Sequence, residues 1–346
     1  MALYNRINGK ELKERLKQSV EPRTTISFYK YHYISEPTTF RNNLYTLLEQ
    51  IHVLGRIYVA TEGINAQLNI PTSQLENFKA QLSSMGFLNG VRLNMAVDDN
   101  GKSFFKLKIL VRKKIVADGL NDETFDVTSC GVHVNAKQFN QLTDEPNTLL
   151  VDMRNHYESE VGHFKNAICP DVDTFREELK VVENLLAGQE DKNLLMYCTG
   201  GIRCEKASAW FKHIGFKNVF QLNGGIIKYA QEVKEQNLEN KFVGKNFVFD
   251  ERLGERISDT IISVCHQCGS ACDTHTNCKN DGCHLLFIQC EECAQKFNGC
   301  CSATCAETIA LPEEVQRELR KGINKGRQVF KKGRSAKIVF KTAQPI

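Results

Sequence analysis

Along the first 111 residues the apolar positions switch repeatedly between helical and strand spacing. Leu12 and Leu16, four apart in a polar run, suggest a helix within the first 25 residues. Residues 25–34 are rich in β-branched and aromatic side chains and read as a strand. Phe40, Leu44, Leu47, Leu48 and Ile51 recur at helical spacing. Residues 55–60 and 63–70 read as the two arms of a hairpin. Thr72 or Ser73 is placed to cap a helix running to Met85, and 91–97 and 104–111 read as further strands. The order β-α-β-β-α-β with one added strand predicts a ferredoxin-like α+β domain over residues 1–120.

The pattern then changes. Short apolar runs at 149–152, 194–197 and 218–222 alternate with helical stretches, including 203–214. Strands separated by helices predict a parallel sheet with helices on both faces, an α/β domain over residues 129–240. From 241 to 346 periodicity fades and cysteines accumulate. Of 14 cysteines in the 346-residue chain, ten lie between Cys265 and Cys305. The reading is therefore of an α/β multidomain protein with a C-terminal cysteine-rich module. No run of eighteen apolar residues is present and the N-terminus lacks the apolar core of a secretory signal. A cytoplasmic protein without membrane contact is expected, and disulfides are disfavoured there.

Four cysteines stand outside the module, and Cys198 is the informative one. It follows an apolar strand and precedes Thr199, Gly200, Gly201, Ile202 and Arg203, after which a helical pattern begins. Glycines let successive backbone amides face inward, and a helix N-terminus adds partial positive charge. A thiolate in such a nest is stabilised, and Arg203 adds a cation. An accessible, ionised, reactive cysteine is expected, fit to act as a nucleophile or to carry sulfur as a persulfide. The bland alternative is a small buried residue ending a strand. Cys204, in the first turn of the helix, reads equally as a thiol that resolves an oxidised Cys198 or as a small core residue. Lys206 is expected to be solvated, to pair with neighbours of Glu205 or to face the loop.

The stretch Cys198-Thr-Gly-Gly-Ile-Arg203 resembles the rhodanese active-site loop Cys-x-x-Gly-x-Arg. Leu150-Val-Asp-Met-Arg154, Glu158 with Gly162-His-Phe-Lys-Asn-Ala-Ile168, and the segment 215–226 with its Gly-Gly turn resemble flanking marks of that family in the same order. The resemblance implies a nucleophilic Cys198 and an anion cradle formed by 199–203. Asp152 and Arg154 are expected to form a buried supporting pair, and His163 to hydrogen-bond the loop scaffold.

In the module, Cys265-His-Gln-Cys268 and Cys290-Glu-Glu-Cys293 are two knuckles of the kind that supplies four thiolates to a tetrahedral metal, zinc being the natural ion. Cys272, Cys278, Cys283, Cys300, Cys301, Cys305, His266, His275 and His284 remain as material for a second site, with the assignment of ligands open. Metal-free or disulfide-linked cysteines are the alternative.

Taken together with Glu62-Gly-Ile-Asn-Ala66, Cys-His-Gln-Cys-Gly and Gly-Cys-Cys-Ser, the whole arrangement resembles the bacterial tRNA uridine hydroxylase family, which contains a rhodanese domain. That resemblance implies oxygen-dependent formation of 5-hydroxyuridine at the wobble position, with molecular oxygen as co-substrate and the tRNA anticodon loop as partner. Charge is consistent with RNA: residues 317–341 hold ten Lys or Arg and one acid, Glu318. Lys106, Lys108, Arg112, Lys113 and Lys114 lie beside Phe104 and Phe105, where a sheet can offer aromatic rings to unstacked bases. A solvated basic face is the plain alternative. The rival activity is a rhodanese-like sulfurtransferase. No flavin or redox-metal motif is evident, so the redox cofactor and the oligomeric state stay open.

Overall fold

The computed structural model describes residues 3, 7–121, 124–322 and 340–342. Residues 323–339, most of the basic tail, lie outside this set.

After helix α1 (Gly9–Gln18), the N-terminal unit runs β1 (Arg23–Tyr31), α2 (Pro37–Gln50), β2 (Leu54–Ala60), β3 (Gly63–Pro71), α3 (Leu75–Ser84), β4 (Asn94–Met95) and β5 (Leu107–Val111). Its sheet has the order β4-β1-β3-β2-β5. The first four strands are the antiparallel ferredoxin-like set, and β5 is added parallel to β2 at the edge. Alternation sorts the faces. Ile26, Phe28, Ile57, Val59, Ile64, Ala66 and Leu68 point to one face and bury against Leu44 and Leu48 of α2 and Phe78 and Leu82 of α3. The opposite face carries Tyr29, Tyr31, Arg56 and Tyr58.

Two local expectations are corrected. The 91–97 strand shrinks to two residues, because past β4 the Val97 amide turns away to donate to Glu255 at 3.2 Å. Neither Thr72 nor Ser73 caps α3; a single 3₁₀ turn, Thr72–Gln74, intervenes, and the Thr72 hydroxyl pairs with that of Thr24 at 3.0 Å.

The second unit comprises β6 (Val132–Val134), α4 (Ala136–Thr143), β7 (Thr148–Asp152), α5 (His156–Ser159), β8 (Gly162–Phe164), α6 (Phe175–Leu186), β9 (Asn193–Tyr197), α7 (Ile202–His213), β10 (Asn218–Leu222) and α8 (Gly225–Gln236). The sheet β6-β10-β9-β7 is parallel throughout. Both faces are covered. Phe175, Leu179 and Val182 of α6 with Ala207 and Phe211 of α7 fill one side. Phe139 of α4 with Ile226 and Tyr229 of α8 fill the other.

Next come β11 (Phe242–Asn246), β12 (Glu255–Arg256), β13 (His275–Asn277), β14 (Leu286–Ile288), α9 (Glu291–Lys296), α10 (Ala303–Ala310) and α11 (Glu313–Arg320). β11 pairs with β8 across the expected 240/241 boundary, so the chain beyond 241 begins inside the second unit's periphery.

The N-terminal sheet docks on α7 through buried charge. Lys206, expected to be solvated, to pair near Glu205 or to face the loop, is fully buried and reaches Glu62 at 2.6 Å and Asp118 at 2.8 Å. Its ammonium also lies 5.8 Å from the Tyr31 ring centre. A helix residue five positions past the loop glycine became interior because another domain covers that face, a fact no helical period announces. Replacing Lys206 by Met removes the cation between two carboxylates. Unfolding free energy should fall by about 3 kcal/mol, read as a lower urea midpoint; an unchanged midpoint would refute the docking role.

Candidate active site

The strand β9 delivers Cys198, and the chain turns at once into α7. Gly201, the residue before the helix, has φ 101°, a left-handed value that favours glycine. A Cβ there would sit 2.9 Å from the Tyr29 hydroxyl. The turn aims the Gly201 amide at the Cys198 Sγ, 3.1 Å away. A second helix start fixes the loop from below. Amides of Ile226 and Ile227 donate to the carbonyls of Cys198 and Thr199 at 3.0 and 3.2 Å. Gly225 permits that approach, since a Cβ there would lie 2.4 Å from the Cys198 carbonyl oxygen.

Electrostatics make the sulfur a thiolate. Burial by itself pushes its pKa up. The Cys204 thiol, the Arg203 guanidinium and the amides of Cys204 and Arg203 outweigh burial and bring it down from 9.0 to about 6. The direction favours the anion near neutral pH. Cys204 itself is fully buried, and burial together with the Cys198 charge raises its pKa well above the usual range. It therefore stands as a thiol donor to Cys198.

Arg203 is held by Glu158 in a bidentate pair, Nη1–Oε1 2.7 Å and Nη2–Oε2 2.9 Å. Burial favours a neutral Glu158, but Arg203 overrides it and holds the carboxyl below its ordinary value. Asp152 and Arg154 form a second pair beneath, at 2.8 and 2.6 Å, both fully buried. Tyr197 donates to Asp152 at 2.8 Å and Arg154 to the Gly162 carbonyl at 2.7 Å. His163 is elsewhere. It lies on β8, and its Nδ1–H donates to the Phe164 carbonyl at 3.0 Å rather than to the loop.

Accessibility is the main correction. The Cys198 residue is 1% exposed. Over the loop lie side chains that no motif marked. Asn94 donates to the Gly200 carbonyl at 3.3 Å, Tyr29 to Glu205 at 2.9 Å, and Arg92 to the Tyr29 hydroxyl at 3.3 Å and to Asn223. Glu205 also accepts from Gln221 and bonds the His133 ring. The sequence hid these residues because they converge from a different domain. Glu178 was also missed. It is fully buried on α6, and burial, opposed by Arg203 but aided by Asp152, Glu158 and Cys198, raises its carboxyl pKa well above the usual range.

Of the two aromatics expected to stack on bases, Phe105 is half-buried, with Lys13 and Lys106 near its ring. Phe104 is buried in the structure, and Lys114 is engaged internally by Asp118 at 2.7 Å. Lys108, Arg112 and Lys113 remain exposed. In the C-terminal region, the sulfurs of Cys265, Cys268, Cys290 and Cys293 lie within 4.8 Å of one another, a set fit to hold a metal ion. Among the described residues no helix is long and apolar enough to cross a membrane.

Comparison with known proteins agrees with this geometry. Residues 23–115 match the UPF0176 acylphosphatase-like domain family, 135–232 the rhodanese-like domain family, and 243–306 the rhodanase C-terminal family. A tRNA uridine(34) hydroxylase of Photorhabdus laumondii is 59% identical over 96% of this chain and 95% of its own. Proteins of the same name from Pectobacterium carotovorum and Yersinia pestis are each 56% identical over 96% of this chain and 94% of theirs. Identity of that order over nearly the full length of both partners leaves no room for a shared domain alone: the chain belongs to the family of tRNA uridine(34) hydroxylases.

Proposed function

We propose that this protein hydroxylates carbon five of uridine 34 in tRNA, in the cytoplasm, with Cys198 as the catalytic nucleophile. The observation that carries the reading is the low-pKa thiolate in a rhodanese-type loop, in a chain alike over nearly its full length to proteins named for that reaction. A thiolate adds to carbon six of a uracil ring, which turns carbon five into an enolate carbon. Molecular oxygen is the co-substrate. That carbon takes one oxygen atom, forming a C5–O bond while its C5–H bond stays intact, and the other atom leaves as water with two electrons and two protons from a separate reductant. Loss of the C5 proton and expulsion of the thiolate then restore the ring. Cys204 keeps Cys198 ionised by donating to it, and Arg203 with the loop amides cradles negative charge. For the base to reach the sulfur, the contacts of Tyr29, Arg92 and Asn94 over the loop must open. Exposed Lys108, Arg112 and Lys113 supply a backbone-binding face for the anticodon arm. The four-cysteine set of Cys265, Cys268, Cys290 and Cys293 holds a structural zinc.

Sulfur transfer is the second reading, favoured by the rhodanese-like match at 135–232. Nucleoside mass spectrometry separates the two. In cells lacking the endogenous gene, the wild-type chain should restore 5-hydroxyuridine derivatives, and Cys198→Ser should restore less than about 1% of them. Full restoration by Cys198→Ser would eliminate the mechanism. Loss of thiouridine with hydroxyuridine intact would instead establish sulfur transfer.

The pH dependence follows from the lowered thiol. Cys198 is active as the anion, so kcat/KM should fall as pH drops through about 6. Cys204→Ala removes a donor to the thiolate and should move this acid limb upward. A limb that stays in place would show that Cys204 does not tune Cys198.

A further inference from the structure

We infer that Cys278, Cys283, Cys301 and Cys305 form a second metal site in the C-terminal module, of the tetrahedral thiolate class that takes zinc. Their four sulfurs lie within 4.8 Å of one another. Cys283 and Cys301 sulfurs are 3.6 Å apart, and those of Cys301 and Cys305 are 3.8 Å apart. Four sulfurs tetrahedrally placed about 2.3 Å from one ion stand about 3.8 Å from each other. A disulfide brings its sulfurs to about 2.05 Å, and all fourteen cysteines are free. An iron–sulfur cubane spreads its thiolates around a larger body, so this spacing suits a single ion.

The order of the ligands along the chain is a second, independent observation. Cys265 and Cys268 belong to one set, Cys278 and Cys283 to the other, Cys290 and Cys293 to the first again, and Cys301 and Cys305 to the second. Alternating pairs of this kind cross-brace a small fold, since neither half can leave without breaking both sites. The β13–β14 hairpin runs between them. Cys278 follows β13 directly, and Cys290 lies two residues past β14. A lone two-stranded hairpin is marginal in water, and a site at each end staples it.

The two sets also share a plan. A turn supplies one pair and the start of a short helix supplies the other. Around Cys283 the turn is set by Asn280, whose carbonyl accepts the amides of Cys283 and His284 at 2.8 and 2.9 Å. Cys301 precedes α10, and its own amide donates to the Cys278 sulfur at 3.4 Å. Cys305 sits in the first turn of α10, below the Ser302 cap. Inward amides and a helix N-terminus favour clustered thiolates.

Two of the three module histidines are otherwise occupied. His266 bonds Glu160 at 2.8 Å and accepts the Ile288 amide at 3.2 Å, and the His275 ring packs against Phe247 at 5.1 Å. The core around the second set is small. Leu285 and Phe287 are its buried non-cysteine members, joined by partly buried Ala306, Ile309 and Phe340. So few apolar residues cannot order two helices and a returning chain, and a metal supplies what the core lacks.

Zinc counted on the purified full chain tests the assignment. Two ions per chain are expected. Cys283→Ser with Cys305→Ser should retain one, and so should Cys268→Ser with Cys290→Ser. One ion per wild-type chain, lost in the Cys268/Cys290 variant, would overturn the second site while leaving the first intact. Because such variants can misfold, the wild-type chain loaded with cobalt gives a mutation-free count. A sulfur-to-cobalt charge-transfer band should saturate at two equivalents, and saturation at one would refute the proposal. Fewer than fourteen free thiols in the chelated, denatured, unreduced chain would also refute it, by showing disulfides instead.

Discussion

The pairing of Arg203 with Glu158 is the constraint on which the site depends. A guanidinium buried away from water must itself be compensated, because an unpaired buried charge is costly. Glu158 does this with two short bonds, and its own charge is held by Arg203 and, more distantly, Arg154. The second pair, Asp152 with Arg154, ties the end of β7 to β8 and to Tyr197 of β9. The loop is thus mounted on interlocking ion pairs. A sulfur sealed from water keeps its charge because the protein supplies fixed amides, a thiol donor and a cation in place of solvent.

The same economy explains why the N-terminal domain sits where it does. Lys206 and Glu205 are neighbours on α7, and each reaches into the ferredoxin-like sheet, Lys206 to Glu62 and Glu205 to Tyr29. The polar face of that sheet, which a ferredoxin-like unit standing alone would leave to water, becomes a roof over Gly200 and Gly201. Tyr29, Arg92 and Asn94 therefore hold the domains together directly over the loop that carries the sulfur. Polar contacts suit such a roof. They can be exchanged for contacts to a nucleotide at small net cost, whereas an apolar seam would resist opening.

The C-terminal module solves a different problem. Its buried side chains are dominated by cysteine, which packs as a small hydrophobe and fills little volume. Two sets of four clustered cysteine sulfurs, in alternating pairs along the chain, lie where cross-links would make up for the small apolar area. The module is not a detached appendage. β11 extends the second unit through β8, and His266 reaches Glu160 just past α5. The module is thereby tied to the segment that carries Glu158.

What the sequence determined by itself was everything encoded locally. The strand-Cys-Gly-Gly-Arg-helix run of 198–203 marked the candidate cysteine and the turn around it, because a backbone nest needs glycines at fixed offsets. Periods of two and near four gave the alternating elements of both main domains, and Cys-x-x-Cys spacing marked one set of four clustered cysteines. Tertiary structure alone decided what depends on distant segments meeting. It buried Cys198 and Lys206, paired Glu158 with Arg203, turned Cys204 into a donor and placed His163 away from the loop. It also brought Tyr29, Arg92 and Asn94 over the site and sorted eight module cysteines into two sets. Burial and charge compensation are sums over everything within several ångströms, and a linear chain does not state which of its parts those neighbours are.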